Sequence, residues 1–203
     1  MHHAISFQSK LNDFLICTPR KKSLKHQLIC VKQGLVLVKL GKLEYAVEAG
    51  QSFWLPFDTL TSLTYTPNTI VSSVGVSSRV VASFPKQGGY IQAEELLSAL
   101  LNRLEIHNGH HERQVDLLKV VQSELTTLKP ELKETRYTKQ INQWQADKES
   151  SLSNELKLVL RVREANKQMQ SGKKRPMIVE SLFDGNDALL VSLEQTILGR
   201  ELT

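Results

Sequence analysis

The sequence has little cysteine and no long apolar run, and each shortage excludes a class of protein. Its two cysteines, Cys17 and Cys30, are too few for a disulfide framework, so we expect a reducing cytoplasmic setting. No apolar stretch approaches the roughly 18 residues that a membrane-spanning helix needs. Residues 1–6 also lack the basic start and apolar core of a signal peptide. The sequence therefore predicts a cytoplasmic protein without a membrane segment.

The first ninety residues alternate apolar and polar side chains, which is typical of short β-strands. Gly34, Gly41 and Gly50 interrupt the alternation, as tight turns between antiparallel strands do. We predict a first strand around 14–17, followed by strands at 27–32, 35–40, 43–48, 52–55, 62–65, 69–76 and 79–84. Strands at this spacing predict a β-barrel or jelly roll, with a breaker-rich boundary at 85–89.

This strand region lacks the residues that metal or covalent catalysis requires. Residues 27–84 contain no histidine, and His2, His3 and His26 lie outside the predicted strands, which argues against a His/Glu metal site. The sequence has no paired acid/base motif and no nucleophile elbow, and we interpret Cys30 first as a small buried hydrophobe. We therefore expect no enzyme activity, no metal and no cofactor.

From residue 92 onward the apolar periodicity becomes that of amphipathic helices. We predict helices at 93–105, 112–125, 137–147, 152–170, 175–182 and 187–198. The last two flank a short turn that contains Gly185, which is a helix-turn-helix arrangement. His107, His110 and His111 lie between the first two helices. We interpret them as a solvated linker, with a structural or adventitious metal site as the alternative.

Positive charge is concentrated in the strand half of the chain. Residues 1–90 contain 10 Lys/Arg and 4 Asp/Glu, whereas residues 91–203 contain 16 and 17. A dedicated DNA-binding region usually carries the basic excess itself. The charge distribution therefore counts against a simple DNA-binding interpretation of the helical half.

Several sequence segments together resemble one family of regulators. They are G-Q-S-F-W-L-P at 50–56, V-S-S-R-V at 76–80, F-P-K-Q-G-G-Y-I at 84–91, L-L-S-A-L-L-N-R-L at 96–104 and L-L-K-V-V-Q-S-E-L at 117–125. In this order they resemble the AraC/XylS family of bacterial transcription regulators, in the branch with a cupin-type N-terminal domain. The resemblance implies an α+β protein: a cupin-like barrel or jelly roll at 1–90, interdomain helices at 91–130 and an all-α domain with helix-turn-helix character at 131–203.

The C-terminal region departs from the family pattern. The family places a glycine–aromatic pair at the turn, where this chain has Phe183-Asp184-Gly185. Leu190 and Glu194 stand where the family has two anchoring phenylalanines, and Gln195 and Thr196 replace its basic residues. Residues 187–198 contain no Lys or Arg, although a helix that lies against phosphates benefits from cations.

The segment from Arg161 onward resembles the helix that joins the two helix-turn-helix units in this family. This likeness supplies candidates for DNA contact. Phosphate contacts are expected from Arg161, Arg163, Lys173, Lys174 and Arg175. The interval between Arg136 and Arg161 is too short for a complete first helix-turn-helix unit, so we favour a shortened unit. In the alternative register, 137–144 is the first recognition helix, and its base contacts come from Lys139, Gln140 and Asn142.

The barrel and the helix that follows it supply the remaining candidates. Their strand positions make Trp54, Tyr45 and Cys30 candidates for lining an effector pocket, although core packing is the favoured role of the two aromatic residues. A leucine stripe either covers the chain's own barrel or forms a dimer contact. Its members are Leu96, Leu97, Leu100, Leu101 and Leu104.

The resemblance thus implies a transcription regulator in which a ligand-sensing barrel controls a DNA-binding helical domain. The expected partners are DNA, a small-molecule effector and a second copy of the chain. The alternative is a relative without DNA affinity that acts through a protein partner, either a second copy or a full-length regulator. The slight net negative charge of the helical half favours that alternative.

Overall fold

The computed structural model describes residues 4–106 and 111–202 and has an α+β fold. The strands are β1 Ile5–Asn12, β2 Ile16–Cys17, β3 Lys21–Lys22, β4 Lys25–Gln33, β5 Leu35–Leu40, β6 Leu43–Glu48, β7 Ser52–Leu55, β8 Leu60–Tyr65, β9 Thr69–Ser77 and β10 Gly89–Ile91. The helices are α1 Glu95–Ile106, α2 His111–Thr126, α3 Arg136–Gln143, α4 Asn154–Gln170, α5 Arg175–Phe183 and α6 Asp187–Leu193. A π-helical segment, Glu194–Leu198, continues α6.

The strands form two antiparallel sheets that pack face to face, as in a jelly roll. Sheet A has the order β1-β9-β4-β7-β10, and sheet B has the order β2-β8-β5-β6, with β3 also paired to β8. Side chains from both sheets meet in an inner core, for example Ile29 and Val31 of β4 with Val36 and Val38 of β5. All four are at most 1% exposed, so the space between the sheets is filled with side chains.

Helices cover both outer faces, which gives four layers. On sheet A, Leu28 and Trp54 pack against Leu104 of α1 and Val121 of α2. On sheet B, residues of β5 and β6 share a core with the layer formed by α3–α6 and the π-helical segment, here called the helical layer. Because both faces of β4 are buried, its centre is a continuous apolar run rather than an alternating one.

The predicted strands between 27 and 76 are confirmed, whereas the strand predicted at 79–84 is wrong. The chain there makes tight turns, in which the amides of Val80 and Ala82 bond the carbonyls of Ser77 and Val80. No strand can follow β9 directly at its side, because β9 already pairs with β1 and β4. Strand β1 pairs with β9 along its whole length, although the sequence predicted no strand at 5–12.

The boundary predicted at 85–89 ends in strand β10, which begins at Gly89. The backbone of Glu131 lies so close to this position that no side chain fits there. Tyr90 exchanges two backbone hydrogen bonds with Glu131, each of 2.9 Å. A Cβ atom at Gly89 would lie 2.6 Å from the carbonyl carbon of Glu131. A glycine is therefore needed for the chain after α2 to reach the edge of sheet A.

The six predicted helices are present, with changes at their ends. Helix α3 stops at Gln143 because Trp144 has an extended backbone (φ −63°, ψ 135°), so the predicted end at 147 is wrong. Helix α4 begins at Asn154, where the side chain of Ser153 accepts a hydrogen bond from the amide of Leu156. Helix α5 ends with Asp184 in the left-handed region, and Asn186 caps the start of α6.

Candidate functional site

The free edge of sheet B is covered by polar side chains of α3. Strand β6 is the last strand of this sheet, so one side of it has backbone groups without a strand partner. The amide of Glu44 donates to Asn142 Oδ1 (2.9 Å), and the Glu44 carbonyl accepts from Asn142 Nδ2 (2.8 Å). The amide of Ala46 donates to Thr138 Oγ1 (3.1 Å), and the Ala46 carbonyl accepts from the Tyr90 hydroxyl (2.7 Å). Four backbone groups of β6 are thus satisfied by side chains.

An ion pair joins the same strand to α4. The Arg163 guanidinium donates to both carboxylate oxygens of Glu44, at 2.9 and 3.0 Å. The two side chains are 22% and 18% exposed, so solvent screens the pair less than a surface salt bridge. This bidentate geometry fixes the orientation of α4 on sheet B as well as its distance from it.

The contact between sheet B and the helical layer is a continuous apolar core. Leu35, Leu37 and Ala46 of the sheet belong to one cluster with residues of α4, α5 and α6, among them Val162 and Leu190. These five side chains are at most 7% exposed. A displacement of β5 or β6 therefore changes the packing of the helices directly.

A second ion pair lies within the helical layer itself. Arg175, at the start of α5, donates to both carboxylate oxygens of Glu194 at 2.7 and 3.1 Å, and to Asp187 at 2.9 Å. The Glu194 side chain is 1% exposed. Its hydrogen bonds hold the pKa of Arg175 above the usual range for arginine. Glu194 is therefore a buried ion-pair partner of Arg175.

The structure places the predicted DNA-contact residues in different surroundings. Arg163 and Arg175 are engaged in the two ion pairs, and Arg161 donates to the carbonyl of Ala146 (3.2 Å). Lys173 bonds the side chains of Gln168 and Ser181. Two of the candidates for base contact on α3 also have partners within the protein. Asn142 donates to the backbone of β6, and Gln140 donates to Ser151.

Two of these candidates, Lys139 and Lys174, remain available to a ligand. Both are exposed. Within the described ranges neither side chain has a hydrogen-bond or ion-pair partner. Phosphate contact by the predicted set stays a prediction, and these two lysines could make it without losing an internal side-chain bond.

The three predicted pocket residues do not line one pocket. Trp54 and Cys30 point out of sheet A toward α1 and α2, whereas Tyr45 points between the sheets. Tyr45 packs there with Phe53 and Tyr90, with ring centroids 6.0 and 6.3 Å away. An effector pocket formed by all three residues is therefore not present in this structure.

Trp54 and Cys30 belong to the apolar core between sheet A and the helices α1 and α2. The Trp54 indole donates to the carbonyl of Pro85 (3.0 Å) and stacks on His26 at 5.6 Å. Burial raises the pKa of the Cys30 thiol, which keeps it protonated. The contacts of Trp54 agree with core packing. Cys30 also lines a cavity of about 510 Å³ with Ile91 and Leu101, so its role as a pocket residue stays a prediction.

The leucine stripe mostly covers the chain's own sheet. Leu97, Leu100, Leu101 and Leu104 are at most 9% exposed and pack against sheet A. Leu96 is 52% exposed. Of the two roles that the sequence left open, the first accounts for four of the leucines, and a dimer contact stays a prediction for Leu96.

The histidine cluster cannot be placed, because His107 and His110 and the side chain of His111 lie outside the described residues. Within 4–106 and 111–202, no three His, Cys, Asp or Glu side chains are positioned to share a metal ion. In the same ranges, no helix has both the length and the apolar character needed to cross a membrane.

Comparison with known proteins gives structural likenesses of low identity. No family model and no curated protein matches the chain. A cupin superfamily protein from Desulfitobacterium hafniense is 5% identical, over 38% of this chain and 72% of that chain, with a TM-score of 0.35. A protein of unknown function from Streptococcus pyogenes is 16% identical over 39% and 70%, also with a TM-score of 0.35. Apo ToxT from Vibrio cholerae is 9% identical over 98% and 95%, with a TM-score of 0.45. At these values the likenesses do not indicate what the chain binds.

The sequence signals for these contacts were weak or absent. The Glu44–Arg163 pair joins residues 119 positions apart, and no local pattern marks it. The polar residues Lys139, Gln140 and Asn142 of α3 were predicted to contact bases. The same polarity also suits a helix that covers the exposed edge of a sheet, and this is the role that Asn142 has in the structure.

Proposed function

We propose that the chain is an AraC-like transcription regulator in which the β-sandwich controls the position of the C-terminal helices. The observation that supports this most is the bidentate pair between Glu44 of β6 and Arg163 of α4, set in a core shared by sheet B and the helices. Through these contacts, a small molecule that displaces β5 or β6 would also move α4 and the helix pair after it.

In this proposal DNA contact is made first by exposed lysines. Lys139 on α3 and Lys174 at the start of α5 reach phosphates without breaking an internal bond. One helix pair supplies few contacts, so sequence-specific binding requires two copies of the chain on adjacent half-sites.

A salt series tests direct DNA binding. Fluorescence anisotropy with labelled promoter fragments from the source genome is expected to give a complex whose log K falls linearly with log salt concentration. Replacing Lys139 and Lys174 with Ala should lower the magnitude of that slope by about 1 per lysine. Lys119→Ala is the matched control, because Lys119 is exposed on α2 and pairs locally with Asp116. Absence of a salt-dependent complex on every fragment would overturn direct DNA binding.

A second candidate function is regulation through a protein partner, and the surface of α6 favours it. Residues 187–198 have no cation, and Leu189 and Val191 are 37% and 41% exposed. Such a surface suits an apolar contact better than a phosphate backbone.

Sedimentation equilibrium distinguishes this second function. The chain is measured alone and mixed with a purified full-length regulator of the AraC type, with Val191→Asp as the test variant and Ser181→Asp on α5 as the control. Association that only Val191→Asp abolishes supports the protein-partner function. A monomer in both samples contradicts it.

A further inference from the structure

A groove of about 760 Å³ lies between the turns at one end of sheet B and the helical layer. Its apolar lining comes from both sides: Leu35 from β5, Leu156 and Val159 from α4, and Leu193 and Ile197 from α6 and the π-helical segment. These five side chains belong to the shared core but are each 6–9% exposed. The volume is within the range of small-molecule sites, roughly 300–1,000 Å³.

The charged groups that line the groove are all acidic. They are Glu48, at the end of β6, and Glu155, in the first turn of α4. Within the described residues neither carboxylate takes part in an ion pair, and no Lys, Arg or His lines the groove. An anionic ligand would therefore be repelled, whereas a cation would find two carboxylates without counter-ions.

The serine and threonine hydroxyl groups of the lining already take part in hydrogen bonds within the protein. Thr66 Oγ1 donates to the carbonyl of Leu35 (3.1 Å), and Thr196 Oγ1 donates to the carbonyl of Ser192 (3.0 Å). Ser153 Oγ caps α4 by accepting from the amide of Leu156. A neutral polar ligand would have to compete with these internal bonds, whereas the two carboxylates are free of ion pairs within the described residues, so we expect the carboxylates to dominate recognition.

The aromatic side chain in the lining is Tyr137 of α3. Burial, and then the nearby Glu48, raise the pKa of its hydroxyl, so the ring stays neutral. The face of a neutral tyrosine attracts an ammonium ion by about 0.5–2 kcal/mol, depending on how dry the site is. An aromatic ring, two carboxylates and an apolar floor form a combination suited to an organic cation.

We propose that this groove binds an organic ammonium ion that carries a short apolar chain. The ammonium group lies between Glu48, Glu155 and Tyr137, and the chain covers Leu156 and Ile197. Such a ligand touches sheet B and the helical layer at once, so binding stabilises their docking. Its role as an effector rests on the proposed function, whereas binding itself does not.

Isothermal titration calorimetry with three probes of equal chain length tests the proposal. The probes are hexyltrimethylammonium, hexanoate and hexan-1-ol, at pH 7.5 and low salt. We expect saturable 1:1 binding of hexyltrimethylammonium and affinities at least about tenfold weaker for the other two. Equal affinity for hexanoate, or no binding of the ammonium probe, would overturn the proposal.

Variants locate the site. Glu48→Gln and Glu155→Gln keep the side-chain shape and should each weaken hexyltrimethylammonium binding about three- to tenfold, since each removes one attraction. Tyr137→Leu should weaken it by a similar factor. The control is Glu95→Gln in the first turn of α1, on the opposite side of the molecule. Unchanged binding in all three groove variants contradicts the assignment. If a variant fails to fold, the three probes on the unsubstituted chain still test whether the groove prefers a cation. Because the titration contains no DNA, its result does not depend on the proposed function.

Discussion

Arg163 and Glu44 are 119 residues apart in sequence and meet in a bidentate ion pair with hydrogen bonds of 2.9 and 3.0 Å. The pair links an edge strand of the sandwich to the longest helix of the helical layer. Because its members come from different layers, it reports on the docking between them rather than on the stability of either layer.

We expect Arg163→Ala to lower the free energy of unfolding by about 2 kcal/mol, because it leaves a mostly buried carboxylate without its donors. Arg163→Lys keeps the charge but cannot donate two parallel hydrogen bonds to the carboxylate. Its free energy of unfolding should therefore lie between those of Arg163→Ala and the unsubstituted protein. Urea unfolding of both variants, together with Glu44→Ala and the double variant, measures the coupling. Strict additivity of the two alanine substitutions would contradict a direct interaction.

Thr138→Val should cost about 2 kcal/mol of stability. The valine has nearly the same shape, but it leaves the buried amide of Ala46 without an acceptor. Thr138→Ser retains the hydroxyl and is the matched control, with an expected loss of less than half as much. Thermal unfolding and hydrogen exchange of the Ala46 amide check this, and unchanged protection in Thr138→Val would contradict it.

Arg175→Met should destabilise the protein by about 3 kcal/mol, since Glu194 then remains buried without a counter-ion. Adding Glu194→Gln removes the charge and keeps the oxygen that accepts from the amide of Leu202. The double variant is therefore expected to be more stable than Arg175→Met alone. Denaturant midpoints of the two variants measure this order, and the reverse order would contradict the unpaired charge of Glu194 as the cause of the destabilisation.

The stability of the protein should fall as the pH is lowered through about 6.5. Burial lowers the pKa of His26 from its ordinary value of 6.5, and its Nδ1 accepts a hydrogen bond from the amide of Phe57. Between the two pKa values the unfolded chain binds more protons than the folded chain, so lowering the pH favours unfolding. His26→Asn keeps an acceptor at a similar position and removes this contribution. A pH dependence identical in both proteins, from pH 7.5 to 5.5, would contradict it.

The fold was largely predictable because its signals are local. Alternation marked β5 and β6, and glycines marked the turns beside them. The 3.6-residue periodicity marked α1, including the buried Leu97 and Leu104. These patterns record which positions are buried, and that information is carried by each segment alone.

The sequence could not tell which layer a buried residue faces. Cys30 and Val31 are neighbours with similar burial, yet one points toward α1 and the other toward sheet B. Where both faces of a strand are covered, apolar residues do not alternate with polar ones, so the periodicity does not show which face a residue occupies. The roles of Asn142 and Arg163 depend on contacts across the fold, so their polarity alone pointed equally well to nucleic acid.

The polar contacts of α3 also affect how the molecule assembles with its own copies. Without α3, strand β6 would present three unpaired backbone groups, which form a template for a strand from another chain. They are the amide and carbonyl of Glu44 and the amide of Ala46. Detachment of α3 would therefore open a route to strand addition and polymerisation. Docking of α3 and resistance to self-association through this edge therefore depend on the same few hydrogen bonds.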